Sequence, residues 1–188
     1  MYLLKNLNKW GGVILLLAMF VMFNSEARAV VKTVNMNIGG CQYFVYIDYE
    51  CSITAPITTS YRIVRYEKAD TNCVSTLPFD SVPSAMYVLI ESDLGYWISE
   101  CTSYYKPCYL GWSKVKAIEY TCWTYWGGGA NFVPCENSKE CVTITDYCFN
   151  GIELVKGTSI TTGTPSTQAE CDSVSYCTGA IPVKTKCD

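Results

Sequence analysis

The residues of this chain best placed to do covalent chemistry are twelve cysteines: Cys41, Cys51, Cys73, Cys101, Cys108, Cys122, Cys135, Cys141, Cys148, Cys171, Cys177 and Cys187. Their count is even and no two stand as C-x-x-C. That reads as a disulfide framework, not as a zinc, iron–sulfur or thioredoxin-type site. The chain has no His. Imidazole bases, Ser-His-Asp and Cys-His nucleophiles are therefore excluded. Asp48 and Glu50 form the one acidic pair with a geometry to consider. Two strand rises set them about 7 Å apart on one face, within the range of inverting glycosidases. Any acidic i,i+2 pair meets that test, and a solvated polar face explains it equally well. Glu91 and Asp93 are ordinary residues at the end of a helix. No G-x-S-x-G and no calcium loop occur. The expectation is a protein without cofactor, metal or catalytic set.

Aromatic residues are the other chemical resource. Trp97, Trp112, Trp123 and Trp126 cluster with Tyr104, Tyr105, Tyr109 and Tyr125. Exposed rings stack on sugars or anchor a protein partner. The competing expectation is that they fill a sheet core. Trp123 and Tyr125 share one face of an expected hairpin, and Trp126 lies on the other.

The elements that must position these groups are mostly strands. From Cys41 to Cys51, apolar and polar residues alternate, the pattern of a half-buried strand. An unbroken strand of that length spans about 33 Å, so Cys41 and Cys51 cannot bond each other. Further strands are expected at 61–66, 95–105, 142–149 and, more weakly, 152–162. One helix is expected near 82–93. Asp80 or Ser81 caps it, Pro83 lies in its first turn, and Gly95 follows its end. Its buried stripe would be Val82, Ala85, Met86, Leu89 and Ile90, although Met86–Glu91 also has strand character. The run Trp123–Pro134 reads as a hairpin around Gly127, Gly128 and Gly129. Its symmetric register sets Cys122 opposite Cys135, which predicts a bridge between them. Pro134 favours a four-residue loop and an edge strand.

Three stretches share a spacing. Glu100-Cys101, Cys108, Gly111 and Val115-Lys116 match Glu140-Cys141, Cys148, Gly151 and Val155-Lys156. A shortened copy runs through Glu170-Cys171, Cys177, Gly179 and Val183-Lys184. A degenerate β repeat, each unit a Cys-tethered strand, a Gly turn and a return strand carrying Val-Lys, or a composition-driven coincidence accounts for them. Residues 158–168, rich in Thr, Ser, Gly and Pro, read as a loop before a small C-terminal subregion, 169–188.

Residues 1–29 read as a signal peptide. Lys5 and Lys9 precede the apolar run Val13–Phe23, and Ala27-Arg28-Ala29 forms a cleavage site. Eleven apolar residues fall short of the ~20 that span a bilayer. Cleavage removes Lys5, Lys9, Arg28 and Glu26 and moves the formal charge from −3 to −5. That balance gives no footprint for nucleic acid. Residues 30–188 then form one exported domain, secreted, periplasmic or held on the cell surface.

The runs Tyr120–Trp126, Val133-Pro134-Cys135 and Asp146-Tyr147-Cys148 resemble uncharacterised secreted bacterial proteins rich in Cys, Tyr and Trp. The similarity covers at most residues 95–160. It implies export and a bridged β fold, and carries no activity. The expected fold is all-β: disulfide-stapled antiparallel sheets with at most one short helix. The first functional expectation is a non-enzymatic extracellular or cell-surface protein, structural or adhesive, with self-assembly or a surface protein as partner. The second is a secreted module binding carbohydrate or protein through Trp123, Tyr125, Trp126, Trp97 and Trp112.

Overall fold

The computed structural model describes residues 30–52, 57–126, 131–135, 138–173, 181–182 and 187. The signal-peptide assignment and the hairpin loop 127–130 fall outside the described residues. Within them the chain is dominated by β-structure, with nine strands joined in one sheet.

The sheet begins as a hairpin. β1 (Val30–Ile38) and β2 (Cys41–Cys51) pair without interruption from Val30↔Tyr49 to Ile38↔Cys41. Gly39 and Gly40 turn the chain between them at φ +57° and +82°. Both central residues of this tight turn need a positive φ, which only glycine adopts freely. β2 alternates as its sequence predicts: Cys41, Tyr43, Val45, Ile47 and Tyr49 are buried, and their neighbours are exposed or half-buried. β3 (Ile57–Lys68) pairs antiparallel with β2, with Val64 bulged out of register.

At β3 the sheet forks. Its first half pairs in parallel with β4 (Ser113–Tyr120), the one parallel pair among the described strands. Its last residues pair antiparallel with β6 (Asn131–Pro134). One arm continues from β4 to β7 (Glu140–Phe149) and β8 (Leu154–Gly163). The other continues from β6 to β5 (Cys122–Trp126) and β9 (Ile181–Pro182). Strands that diverge leave backbone groups unpaired, and buried unpaired groups are costly. Tyr87 closes the gap. Its hydroxyl accepts from the Ile63 N–H at 2.9 Å and donates to the Ile118 carbonyl.

Tyr87 belongs to α1 (Val82–Ser92), the expected helix, with Pro83 in its first turn. Val82, Met86 and Ile90 are buried as expected, and Ala85 and Leu89 pack against the core. Tyr87 faces inward too, which apolar periodicity alone does not show. Ser81 stands at the N-cap without a side-chain cap bond. The expected strand at 95–105 is instead helical: α2 (Leu94–Trp97) and a 3-10 turn over Ser99–Tyr104. Asp93 accepts the Tyr96 N–H and starts a new turn where a strand would have to begin. β4 is expected only from the spacing repeat, as the return strand that carries Val115-Lys116. The residues expected to form a loop at 158–163 are the second half of β8. A last helix, α3 (Gln168–Asp172), carries a capping box between Thr167 and Glu170.

The segment between β3 and β4 lays α1 and α2 across one face of the sheet and forms the core with it. The first two copies of the spacing repeat agree in their second halves, where Gly111 and Gly151 turn at positive φ into strands carrying Val115-Lys116 and Val155-Lys156, and differ in their first halves; most of the third copy lies outside the described residues. Cys101 and Cys108 sit on 3-10 turns, whereas Cys141 and Cys148 sit on β7.

Candidate functional site

Ten of the cysteines can be placed in pairs, and each pair joins a sheet arm to something that covers or follows it. Cys41 at the start of β2 bonds Cys73, and Cys51 at its end bonds Cys101 in the covering layer. Cys108 bonds Cys148 on β7, and Cys141 on β7 bonds Cys187. On the remaining arm Cys122 of β5 bonds Cys171 of α3. Cys41 and Cys51 do not pair with each other, as expected. Cys177 lies outside the described residues.

The Cys122–Cys135 bridge is a correction. The hairpin register is the expected one: Trp123 faces Pro134, Tyr125 faces Phe132, and the Cys135 N–H donates to the Cys122 carbonyl at 2.9 Å. This bond makes the two cysteines a hydrogen-bonded pair, whose side chains stand farther apart than those of the alternate, non-hydrogen-bonded pairs. Cys171 approaches from α3 and takes Cys122. Cys135 is also oxidised. All three sulfur-bearing residues are buried together. Nor is β6 an edge strand, since it lies between β3 and β5. The β3 ladder stops at Phe132, so Pro134 sits past its end.

The five expected binding aromatics do not form one platform. Trp123 is fully buried, and its indole N–H donates to the Tyr120 carbonyl at 3.1 Å. It packs against Tyr66 with centroids 5.1 Å apart. Tyr66 stacks on Phe132 at 4.7 Å, and Phe132 meets Phe79 and Tyr125, also at 4.7 Å. Tyr125 is 46% exposed and ends this ring chain at the surface. Trp97 is half-buried against the core. Trp112 is 48% exposed on a different arm, beside Gly157. The Trp126 side chain falls outside the described set. Two of the five, Trp123 and Trp97, are spent on packing.

Asp48 and Glu50 do share the uncovered face of the sheet, beside a hollow of about 230 Å³. Asp48 is committed to Arg62, which donates from Nε at 2.9 Å and Nη2 at 2.8 Å. Arg62 also donates to the Tyr120 hydroxyl at 3.1 Å. Next to it Arg65 donates to Glu67 and to Tyr46, and lies 4.1 Å over the Tyr46 ring. Apart from Arg65–Glu67, which lie on one strand, these are interlocked cross-strand pairs, the usual stabilisers of an open sheet face. Among the described residues no cluster of three or more Cys, Asp or Glu could hold a metal.

A cleft that sequence reasoning missed lies between the helices and the β7–β8 arm. It has two lobes of about 360 and 400 Å³. The Glu91–Lys156 ion pair, at 2.9 Å, lines both. One lobe is lined with hydroxyls, including Ser84, Thr143, Ser159 and Thr161. The buried Glu119 carboxylate accepts from Ser84 at 2.7 Å. No single motif announces this cleft, because its walls come from six elements between α1 and β8.

No family model, curated protein or solved structure matches the chain. Among the described residues no helix is long and apolar enough to cross a membrane.

Proposed function

We propose that the chain is exported and serves outside the cytosol as a non-enzymatic structural or adhesive protein. The observation that carries this reading is the distribution of cross-links. Each arm of the forked sheet is bonded covalently to a covering or following segment. Bridges of this kind persist in oxidising compartments. A sheet fastened on every arm favours durability over the opening and closing that many catalysts use. The core-bound aromatics and the Asp48–Arg62 pairing support the same reading.

Two measurements test it. N-terminal sequencing of protein recovered from the envelope or medium should begin at Val30. Cytosolic protein retaining residues 1–29 would refute export. Tryptophan fluorescence titrated with a polysaccharide panel should stay flat, with no product released.

A second reading, a secreted binding module, is favoured by the hydroxyl-lined cleft rather than by the aromatic hairpin. A saturable fluorescence response abolished by Thr143→Val would put it first. Turnover of any of these polysaccharides would overturn both.

A further inference from the structure

We propose that the outer edge of β1 is an interface between two copies of this chain, paired antiparallel about Val34. The inference deepens the structural reading above and rests on it, since a surface-building chain needs a contact with itself.

The phase of the hydrogen bonds comes from the turn. A two-residue hairpin loop makes Ile38 and Cys41 a hydrogen-bonded pair. The even-numbered residues of β1 therefore bond β2. The N–H and C=O groups of Val31, Thr33, Asn35 and Asn37 point away from the sheet. Among the described residues no other backbone or side-chain group bonds them. Such a row is a template for another strand, and proteins usually block it with bulges, prolines, charges or shortness. β1 runs nine residues in unbroken register with no Pro. Its one charge, Lys32, is held by Glu100 of the same chain at 3.0 Å. The other edges are different. β8 is bulged opposite Thr145–Tyr147, and β9 has two residues.

The occupant follows from self-complementarity. A two-fold axis through Val34 sets odd residues against odd, the set whose backbone groups are free. Thr33 then faces the partner's Asn35, Val31 the partner's Asn37, Lys32 the partner's Met36, and Val30 the partner's Ile38. No like charges are opposed. About eight inter-chain hydrogen bonds form. The polar Thr and Asn pairs fall on the uncovered face, and the apolar pairs extend the core. Val30 and Val31, 45% and 58% exposed, gain cover.

Sedimentation velocity on the oxidised secreted protein, from micromolar to millimolar, should show a monomer–dimer equilibrium. Asn35→Pro removes an outward N–H and no β2 bond, and should give a monomer with an unchanged circular dichroism spectrum. Should that variant unfold, charges decide. Thr33→Lys with Asn35→Lys sets like charges opposite each other twice and should raise Kd by about tenfold. Thr33→Lys with Asn35→Glu sets opposite charges there and should restore the dimer. A wild-type monomer at every concentration, or a doubly lysine-substituted dimer as tight as wild type, overturns the interface. So does failure of the Lys/Glu variant to pair. A monomer recovered intact from the envelope and inert to glycans would sink the pairing alone. A dimer that turns over a polysaccharide would sink the structural reading alone.

Discussion

The Tyr87 hydroxyl stands where β3 exchanges one neighbour for another, and it serves both strands at once. A phenylalanine there would keep the ring and its stacking on Tyr61, whose centroid is 6.0 Å away. It would leave the Ile63 N–H and the Ile118 carbonyl facing apolar surroundings. Leaving a buried donor unsatisfied costs about 1–3 kcal/mol. Tyr87→Phe should therefore lower the denaturant midpoint by that equivalent with an unchanged slope. Tyr96→Phe, at a side chain 68% exposed, should leave the midpoint alone. Equal effects of the two substitutions would show that the fork does not depend on this hydroxyl. The loss is specific to the hydroxyl, because the helix packs against the sheet through Met86 and Ile90 in either case.

At the scale of elements, the β5–β6 hairpin shows what spacing can determine and what it cannot. The symmetric register follows from Gly127–Gly129 and Pro134, and it places Cys122 opposite Cys135 correctly. Which sulfur Cys122 meets depends on α3, nearly fifty residues downstream in sequence, and no local pattern encodes that approach. Non-reducing peptide mapping after cleavage within the hairpin loop should recover Cys122 linked to Cys171. A Cys122–Cys135 peptide would refute the assigned topology. The same boundary between local and long-range information runs through the fold. β2 and α1 are legible because their apolar residues keep a strict period. β4 is legible only through the spacing repeat, because its buried face begins with Ser113 and ends with Glu119, so its alternation fades at both ends. β8 reads only weakly as a strand, and its second half as a loop, because an edge strand exposed along most of its length can be rich in Thr, Ser and Gly. The cleft was illegible for the reason the Cys122 partner was: its walls meet only after the sheet has forked.

For the whole molecule, the absence of His and the burial of tyrosines together set the pH response. No side chain with an ordinary pKa between 5 and 8 is present, so stability should be nearly flat across that window. On the acid side, Lys139 and the Thr167 backbone hold the Glu170 carboxyl at about 2. Its stabilising effect is present above the unfolded value of 4.5 and fades as pH falls toward 2. The pair is exposed and screened by water and salt, so that loss is small. The alkaline side is different. Burial raises the pKa of Tyr61, Tyr66, Tyr87, Tyr105 and Tyr147 above the ordinary value of 10. Tyr61 and Tyr87 also feel the carboxylates of Glu91 and Glu119 respectively. A raised folded pKa favours the protonated native state. That stability is complete below pH 10 and is lost as pH climbs from 10 toward the folded values, because the unfolded chain ionises first. The fold should therefore give way in alkali while resisting acid. In a spectrophotometric titration the seven buried tyrosines, with Tyr43 and Tyr49 among them, should ionise above pH 10, in one step that coincides with the loss of near-ultraviolet circular dichroism. Ionisation of these seven near pH 10, with the fold intact, would contradict the core described above. The disulfides would hold the denatured chain compact, so the transition should reverse on return to neutral pH as long as the cross-links survive.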